Sequence, residues 1–334
     1  MKDDTDIDFV VTWVDSSDTE WQHKFAAYRD ELKSNKEICD IRYKEHNTLR
    51  YWFRGVEKFA PWVRKIHFVT DGQYPNWLNL SHPKLHFVRH EDYIDRDYLP
   101  LFNSHPIENN LHRIQGLSEK FVYFNDDVFV VSKVDSDFFF RNGLPCDSAV
   151  LTTPPRTLED AYMNAISNDL ELINMHFNRR EVISKNILKW FNPKYGVRII
   201  CPPRLLSLNT KFTWLKNPHT AQPYLKSTFN EVWRKCTEYL IRTNYSRFRT
   251  NNDISHLIFR YWQLAEGNFH PTYLRKGHPY FLINEDLPKI LECIKNHSAK
   301  VICINDAPDS EEKYAMLCMV FKEALGKISA FELF

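Results

Sequence analysis

The run Phe121–Val131, FVYFNDDVFVV, sets two adjacent carboxylates, Asp126 and Asp127, inside an otherwise apolar stretch. Phe121 to Phe124 read as a buried strand, and Val128 to Val131 resume the apolar character. Desolvating a charge is costly, so a bare carboxylate in such surroundings needs a partner. The acids therefore belong at the end of a strand, where a sheet opens into a crevice and they can meet a cation. The plainer alternative is a turn whose acids are solvated or capped by nearby donors.

The preceding chain supplies the sheet. Ile7 to Val14, IDFVVTWV, reads as a first buried strand that runs into Asp15-Ser16-Ser17-Asp18. In open α/β sheets ligands bind beyond the carboxyl ends of strands. Asp15 is thus a candidate ligand contact, and Asp18 a candidate N-cap for a helix through Trp21, Phe25 and Tyr28 towards Leu32. Asn47 to Lys58 carries Leu49, Phe53 and Val56 at helical spacing, with Asn47 as a plausible cap. Lys65 to Thr70 reads as a strand closed by Asp71-Gly72, and Lys84 to Val88 as another. This order predicts an α/β fold with a mostly parallel central sheet flanked by helices.

Other stretches carry chemistry less openly. In FNSHPIENNLHRI a helix can start at Ser104 or His105 with Pro106 in its first turn. Glu108 and His112, four apart, then share a face beside Arg113, which suits a phosphate or sugar site or an ordinary surface pair. Asp137 to Pro145 breaks the sheet pattern. Arg156 to Lys189 suggests helices bearing Arg179, Arg180 and Lys185, either a solvated face or one turned to an anionic acceptor or lipid headgroup. Asn192 to Pro223 is rich in Pro and polar residues, as in a connection or insertion. His219 sits there, before a helix with Leu225, Phe229, Val232, Trp233, Cys236 and Leu240 on one face. It reads as a structural donor or a catalytic group. Arg247 to Asn252 leads into a helix with Ile254, Leu257, Ile258 and Tyr261 inward, and Asp253 is its cap or a ligand. Val301 to Asn305, VICIN, is a last strand tipping into Asn305-Asp306, like the Asp126 region in miniature. Asp309 and Glu312 are spaced as a capping box for the closing helix from Ser310 to Gly326.

Composition removes several function classes. With 44 basic and 43 acidic residues, nothing suggests bulk nucleic-acid binding. Only 8 glycines occur, and neither a G-x-G-x-x-G nor a P-loop pattern is present, which argues against those nucleotide sites. The 7 cysteines are scattered without a C-x-x-C, as suits reduced thiols in a cytosolic protein. The acidic start, MKDDTDID, has no hydrophobic signal core, and no run of about 18 apolar residues occurs. Strand-end acids at Asp15, Asp126 and Asp127 with basic residues nearby suit a metal-assisted nucleotide-sugar site, since Mg²⁺ takes carboxylate and phosphate oxygens. Spacing leaves glycosyl transfer, phosphoryl transfer and hydrolysis open.

Four blocks narrow the choice. IDFVVTWVDSSD resembles the first conserved block of the Stealth family, with Ser16 where Gly is usual. The run from RYKEHNTLRYWF to FVRHEDY, followed by LPLFNSHPIENNLHRIQGLSEKFVYFNDDVF, resembles the second. HTAQPYLKSTFNEVW and CINDAPDSEE are similar to the third and fourth, as shorter matches. The family comprises bacterial cell-surface polysaccharide phosphotransferases, and it is similar to the catalytic core of the animal enzyme that puts N-acetylglucosamine-1-phosphate on lysosomal glycoproteins. The resemblance implies transfer of a sugar-1-phosphate from a UDP-sugar donor to a lipid-linked or polymeric glycan acceptor, with release of UMP. It implies that Asp126 and Asp127, with Asn305, hold Mg²⁺ or Mn²⁺ or order the diphosphate. Thr12, Trp13, Val14 and Asp15 would line the nucleotide pocket, and Asn125 would join the substrate contacts. Arg113 and Arg249 would neutralise phosphate, His219 would be the base, and Glu108 and His112 would position the sugar. The expected division is a nucleotide-sugar-binding α/β part (1–155), a helical or irregular insertion (156–218), and a helical part with the last strand (219–334). The expected location is the cytoplasm, with peripheral contact at the inner face of the plasma membrane. The rival readings are a metal-dependent glycosyltransferase releasing UDP and a non-catalytic sugar-binding protein whose 9 tryptophans would stack on sugars.

Overall fold

The computed structural model describes residues 6–29, 43–158, 160–195, 209–273, 278–326 and 328–334. The first half of the chain runs β1 (Ile7–Thr12), α1 (Thr19–Tyr28), α2 (Leu49–Phe59), β2 (Ile66–Thr70), β3 (Leu85–Arg89), α3 (Ser104–Asn109), β4 (Lys120–Phe124), β5 (Val128–Val130), β6 (Phe140–Arg141) and β7 (Leu144–Asp147). The second half adds α4 (Ala161–His176), α5 (Arg179–Lys185), α6 (Ile187–Trp190), β8 (Gln222–Leu225), α7 (Lys226–Lys235), α8 (Thr237–Asn244), α9 (Leu257–Glu266), β9 (His270–Pro271), β10 (Tyr280–Leu282), α10 (Ile283–Lys295), β11 (Val301–Asn305) and α11 (Glu311–Leu325).

The main sheet has the order β3-β2-β1-β4-β8. Its first four strands are parallel, as the apolar runs require of strands covered on both faces, and β8 is antiparallel to β4. Alternation along β1 and β4 sends side chains to two cores. Phe9, Val11, Val122 and Phe124 pack with α2, α10 and α11. Val10, Phe121 and Tyr123 pack with α4, α5 and α7 to α9 on the other face. Residues of 156–218 and of 219–334 thus share one apolar core. A second sheet, β10-β11-β5, stands beside the first, and β6-β7-β9 makes a third.

Several local expectations are corrected. Asn47 does not cap α2: it takes a positive φ of 60°, and Glu45 Oε1 accepts the Thr48 N–H instead (2.9 Å). Leu225 does not open a helix. Gln222–Leu225 is a strand, where Pro223 is tolerated because β8 lies at the sheet edge, and the helical face is then split between α7 and α8 at Cys236. Asp137–Pro145 holds a short 3₁₀ turn and the β6–β7 hairpin, turned by Asn142 and Gly143 at φ 52° and 74°. Arg179 is buried at 2% exposure, while Arg180 and Lys185 face solvent. The Asp309–Glu312 capping box does not form. Asp309 has φ 55°, and Ser310 stands at the N-cap with its hydroxyl donating to Asp306 Oδ1 (2.9 Å). Asp18 does cap α1, accepting the Trp21 N–H at 2.7 Å. Cys146, Cys236, Cys293, Cys303 and Cys318 are free thiols; Leu32, Cys39 and Cys201 lie outside the described residues.

Candidate active site

Asp126 and Asp127 occupy the two-sheet junction, after β4 leaves the main sheet and before β5 enters the second. Strand pairing brings partners to them from both sides. In the antiparallel β4–β8 ladder Tyr123 faces Gln222, so continuing the register sets His219 opposite the acids. In the antiparallel β5–β11 ladder Cys303 faces Val128, and the Ile304 N–H donates to Asp127 O (2.9 Å). The end of β11 thereby lies against the same acids. The parallel strands β1, β2, β3 and β4 all end on this edge, beside a cleft of about 670 Å³.

The floor of the cleft is acidic. His219 Nε2 lies 3.5 Å from Asp127 Oδ2 and 3.3 Å from the Asn125 amide nitrogen. Cys303 Sγ lies 3.3 Å from Asp127 Oδ2. Asp127 Oδ1 is buried with no hydrogen-bond partner. Burial first, then the negative charges of Asp127 and Glu45, raise the Asp126 carboxyl well above the ordinary carboxylate range. Asp306 behaves oppositely: burial alone would raise it, but the hydrogen bond from His46 (2.8 Å) holds it below the usual value.

A deeper wall is built from the main-sheet side. The Tyr123 hydroxyl donates to Glu108 Oε1 (3.0 Å) and meets Thr12 Oγ1 at 3.0 Å. Glu108 is buried, yet His256, His105, Arg249 and the Tyr123 bond outweigh that burial and hold its carboxyl below the usual range. Arg249 Nη2 donates to Ser104 Oγ (3.0 Å) at the cleft wall. Asp253 is neither a cap nor a ligand in the cleft. It is fully buried and takes hydrogen bonds from Asn103, Thr250 and His105.

Thr12, Trp13, Val14, Glu108, Asn125, Asp126, Asp127, His219, Arg249 and Asn305 all line this cleft. Three anticipated residues do not. Asp15 turns its carboxylate onto the Ser17 N–H (2.8 Å), bracing the turn after β1. His112 packs against Phe229 and Trp233 at ring separations of 5.7 and 5.8 Å. Arg113 lies 4.2 Å over the Trp233 ring. The reason is that α3 ends at Asn109; the following 3₁₀ turn, Leu111–Arg113, rotates His112 and Arg113 off the face that carries Glu108. Sequence reasoning missed Glu45, His46, His256 and Cys303. Glu45 and His46 stand in a block already singled out, whereas nothing local marks His256 or Cys303.

Residues 5–33 match Stealth protein CR1, conserved region 1, and residues 42–146 match Stealth protein CR2, conserved region 2. The chain is 39% identical to a capsular polysaccharide phosphotransferase WcwK of Streptococcus pneumoniae, over 99% of both chains. It is 38% identical to the receptor polysaccharide phosphotransferase WefC of Streptococcus oralis, over 98% of this chain and 99% of that one. The chain belongs to the Stealth family. An exopolysaccharide phosphotransferase cps2G of Lactiplantibacillus plantarum is similar too, at 37% identity over 98% of this chain and 96% of the relative. Among solved structures, the galactosyltransferase LgtC aligns at 11% identity over 96% of each chain with a TM-score of 0.42, too slight a likeness to carry weight.

The Stealth CR1 match covers β1 and α1, and the CR2 match runs from just before α2 to β7, so the Asp pair falls inside it. His219 and β11 come from beyond both matches and reach the pair only through strand pairing. The site fits a divalent cation. Burial first, and then the like charges beside it, disfavour the ionised form of Asp126, and Asp127 keeps a buried oxygen without a donor, two conditions that a cation relieves together.

Proposed function

We propose that this Stealth protein transfers a hexose- or N-acetylhexosamine-1-phosphate from a UDP-sugar to a hydroxyl of a glycan acceptor, forming a phosphodiester and releasing UMP. The observation that carries the reading is the Asp126–Asp127 junction with His219 beside it on the floor of a substrate-sized cleft, in a chain whose full-length relatives bear polysaccharide phosphotransferase names. Phosphoryl transfer asks a protein for positioning, charge stabilisation and a proton acceptor rather than covalent chemistry.

The residues divide that work. The Asn125 amide can only donate, so its contact with His219 Nε2 (3.3 Å) requires that nitrogen to be unprotonated, and the acceptor hydroxyl displaces this bond to reach the lone pair. His219 takes the proton of the acceptor hydroxyl as its oxygen attacks the β-phosphorus and the bond to the UMP oxygen breaks. Arg249 offsets phosphate charge; Arg113, stacked on Trp233, does not reach it. Thr12, Trp13 and Val14 border the nucleotide, and Glu108, held by Tyr123, accepts sugar hydroxyls. Asp126, Asp127 and Asn305 would hold Mg²⁺ or Mn²⁺, which supplies charge neutralisation to the diphosphate. The acceptor is taken to be a lipid-linked or polymeric glycan of a capsule or similar polymer, reached from the cytoplasm by peripheral contact with the membrane. Among the described residues no helix is long and apolar enough to cross one.

The test is the nucleotide released from a panel of UDP-sugars with Mg²⁺ and an oligosaccharide acceptor. Acceptor-dependent UMP is expected, and His219→Ala should lower its turnover by about 10²–10⁴-fold. UDP in place of UMP would establish ordinary glycosyl transfer instead. Sugar binding without either product would favour the lectin reading.

A further inference from the structure

Cys303 plays no part in the reaction just described, yet its thiol lies beside the proposed base. The ligand atoms of Cys303, His219 and Asp127 all lie within 4.8 Å of one another. Thiol, imidazole and carboxylate together are a donor set for zinc and similar borderline ions, whereas Mg²⁺ prefers oxygen alone. Tetrahedral zinc with bonds of about 2.0–2.3 Å has ligand–ligand edges of about 3.3–3.6 Å for this donor set. The observed edges, 3.3 Å from sulfur to Asp127 Oδ2 and 3.5 Å from there to His219 Nε2, already approximate them. The groups come from separate places, the β4–β5 junction, the lead into β8 and the middle of β11. Backbone pairing holds Cys303 and Asp127 in place, through the Cys303 N–H bond to Pro279 O (3.1 Å) and the Ile304 N–H bond to Asp127 O (2.9 Å). Asp127 also retains its unpartnered buried oxygen.

We propose that Cys303, His219 and Asp127 form a three-ligand site for a thiophilic divalent cation such as Zn²⁺, whose occupation shuts off transfer. On binding, the Cys303 S–H gives its proton to solvent as the sulfur–metal bond forms, and the His219 lone pair is taken up by the metal. His219 can then no longer accept the acceptor's proton; this inhibitory consequence rests on the reading of His219 as the base, while the binding itself does not.

Binding is tested without turnover, by titrating the full chain with Co²⁺ and then displacing it with Zn²⁺. The expected wild-type result is a thiolate-to-cobalt charge-transfer band that Zn²⁺ abolishes. Cys303→Ser should lose the band and bind Zn²⁺ at least tenfold more weakly, and Cys318→Ser should keep both. Cys303 is buried, so the half-exposed His219 gives an independent variant: His219→Gln should keep the thiolate band with Zn²⁺ affinity at least tenfold lower. A wild-type complex without the band, a band that survives Cys303→Ser, or unchanged affinity in His219→Gln would overturn the site. Zn²⁺ bound at this site with undiminished UMP release in excess Mg²⁺ would overturn the inhibition.

Discussion

Asp126 illustrates how a buried carboxylate can weaken the protein that holds it. Its carboxyl titrates well above the normal range because of burial, then Asp127 and Glu45. An acid raised in this way stabilises the fold only while protonated. That contribution is complete below the unfolded-state pKa and is lost as pH rises through the folded one. Asp126→Asn removes the titration while keeping the shape. In the absence of divalent cations it should be more stable than wild type at neutral pH by on the order of 1 kcal/mol, since solvent reaching the exposed part of the group limits the penalty. The difference should shrink towards pH 4, and the variant should not turn over. Denaturant unfolding at a series of pH values measures it; a gap that is constant with pH would show that ionisation of Asp126 does not weaken the fold.

Between elements, α2 packs directly against β5 behind the site. A Cβ on Gly55 would come 2.4 Å from the carbonyl oxygen of Val130. In an exposed helix, alanine is better than glycine by about 1 kcal/mol. Here the opposite is expected: Gly55→Ala should destabilise by about 1–3 kcal/mol, because the helix must lift from the strand. Since β5 starts at Val128, directly after Asp127, the same shift should lower transfer activity as well. An unfolding midpoint that stays level or rises would show that the helix slides without strain.

Across the whole molecule, the cleft lies where the main sheet, the β10-β11-β5 sheet and the helices around α9 meet, so its occupant bridges parts of the chain far apart in sequence. Anything that binds only the folded state stabilises it by mass action, by about 2.7 kcal/mol at one hundred times the dissociation constant. UDP with Mg²⁺ should therefore raise the melting temperature, and UDP with a chelator should raise it much less. In Asp126→Asn the Mg²⁺-dependent part should disappear. Equal shifts with and without Mg²⁺ would detach the Asp pair from diphosphate binding.

The parallel strands, the helices between them and the Asp pair at a strand end are legible in the chain itself, because each rests on a short apolar run or period and on the cost of burying a charge. Local patterns were weaker where the backbone changes course within a few residues. Four residues of β8 look like the first turn of the helix that follows them, and the end of α3 at Asn109 parts Glu108 from His112 despite their helical spacing. The gathering of His219 and Cys303 at the acids was decided by tertiary structure alone. Asn125 meets His219 across 94 positions and Asp127 meets Cys303 across 176. Those meetings depend on which strand edges pair and in what register, and that choice is made by backbone hydrogen bonds and by burial over the whole sheet, which leave no mark in the residues beside His219 or Cys303.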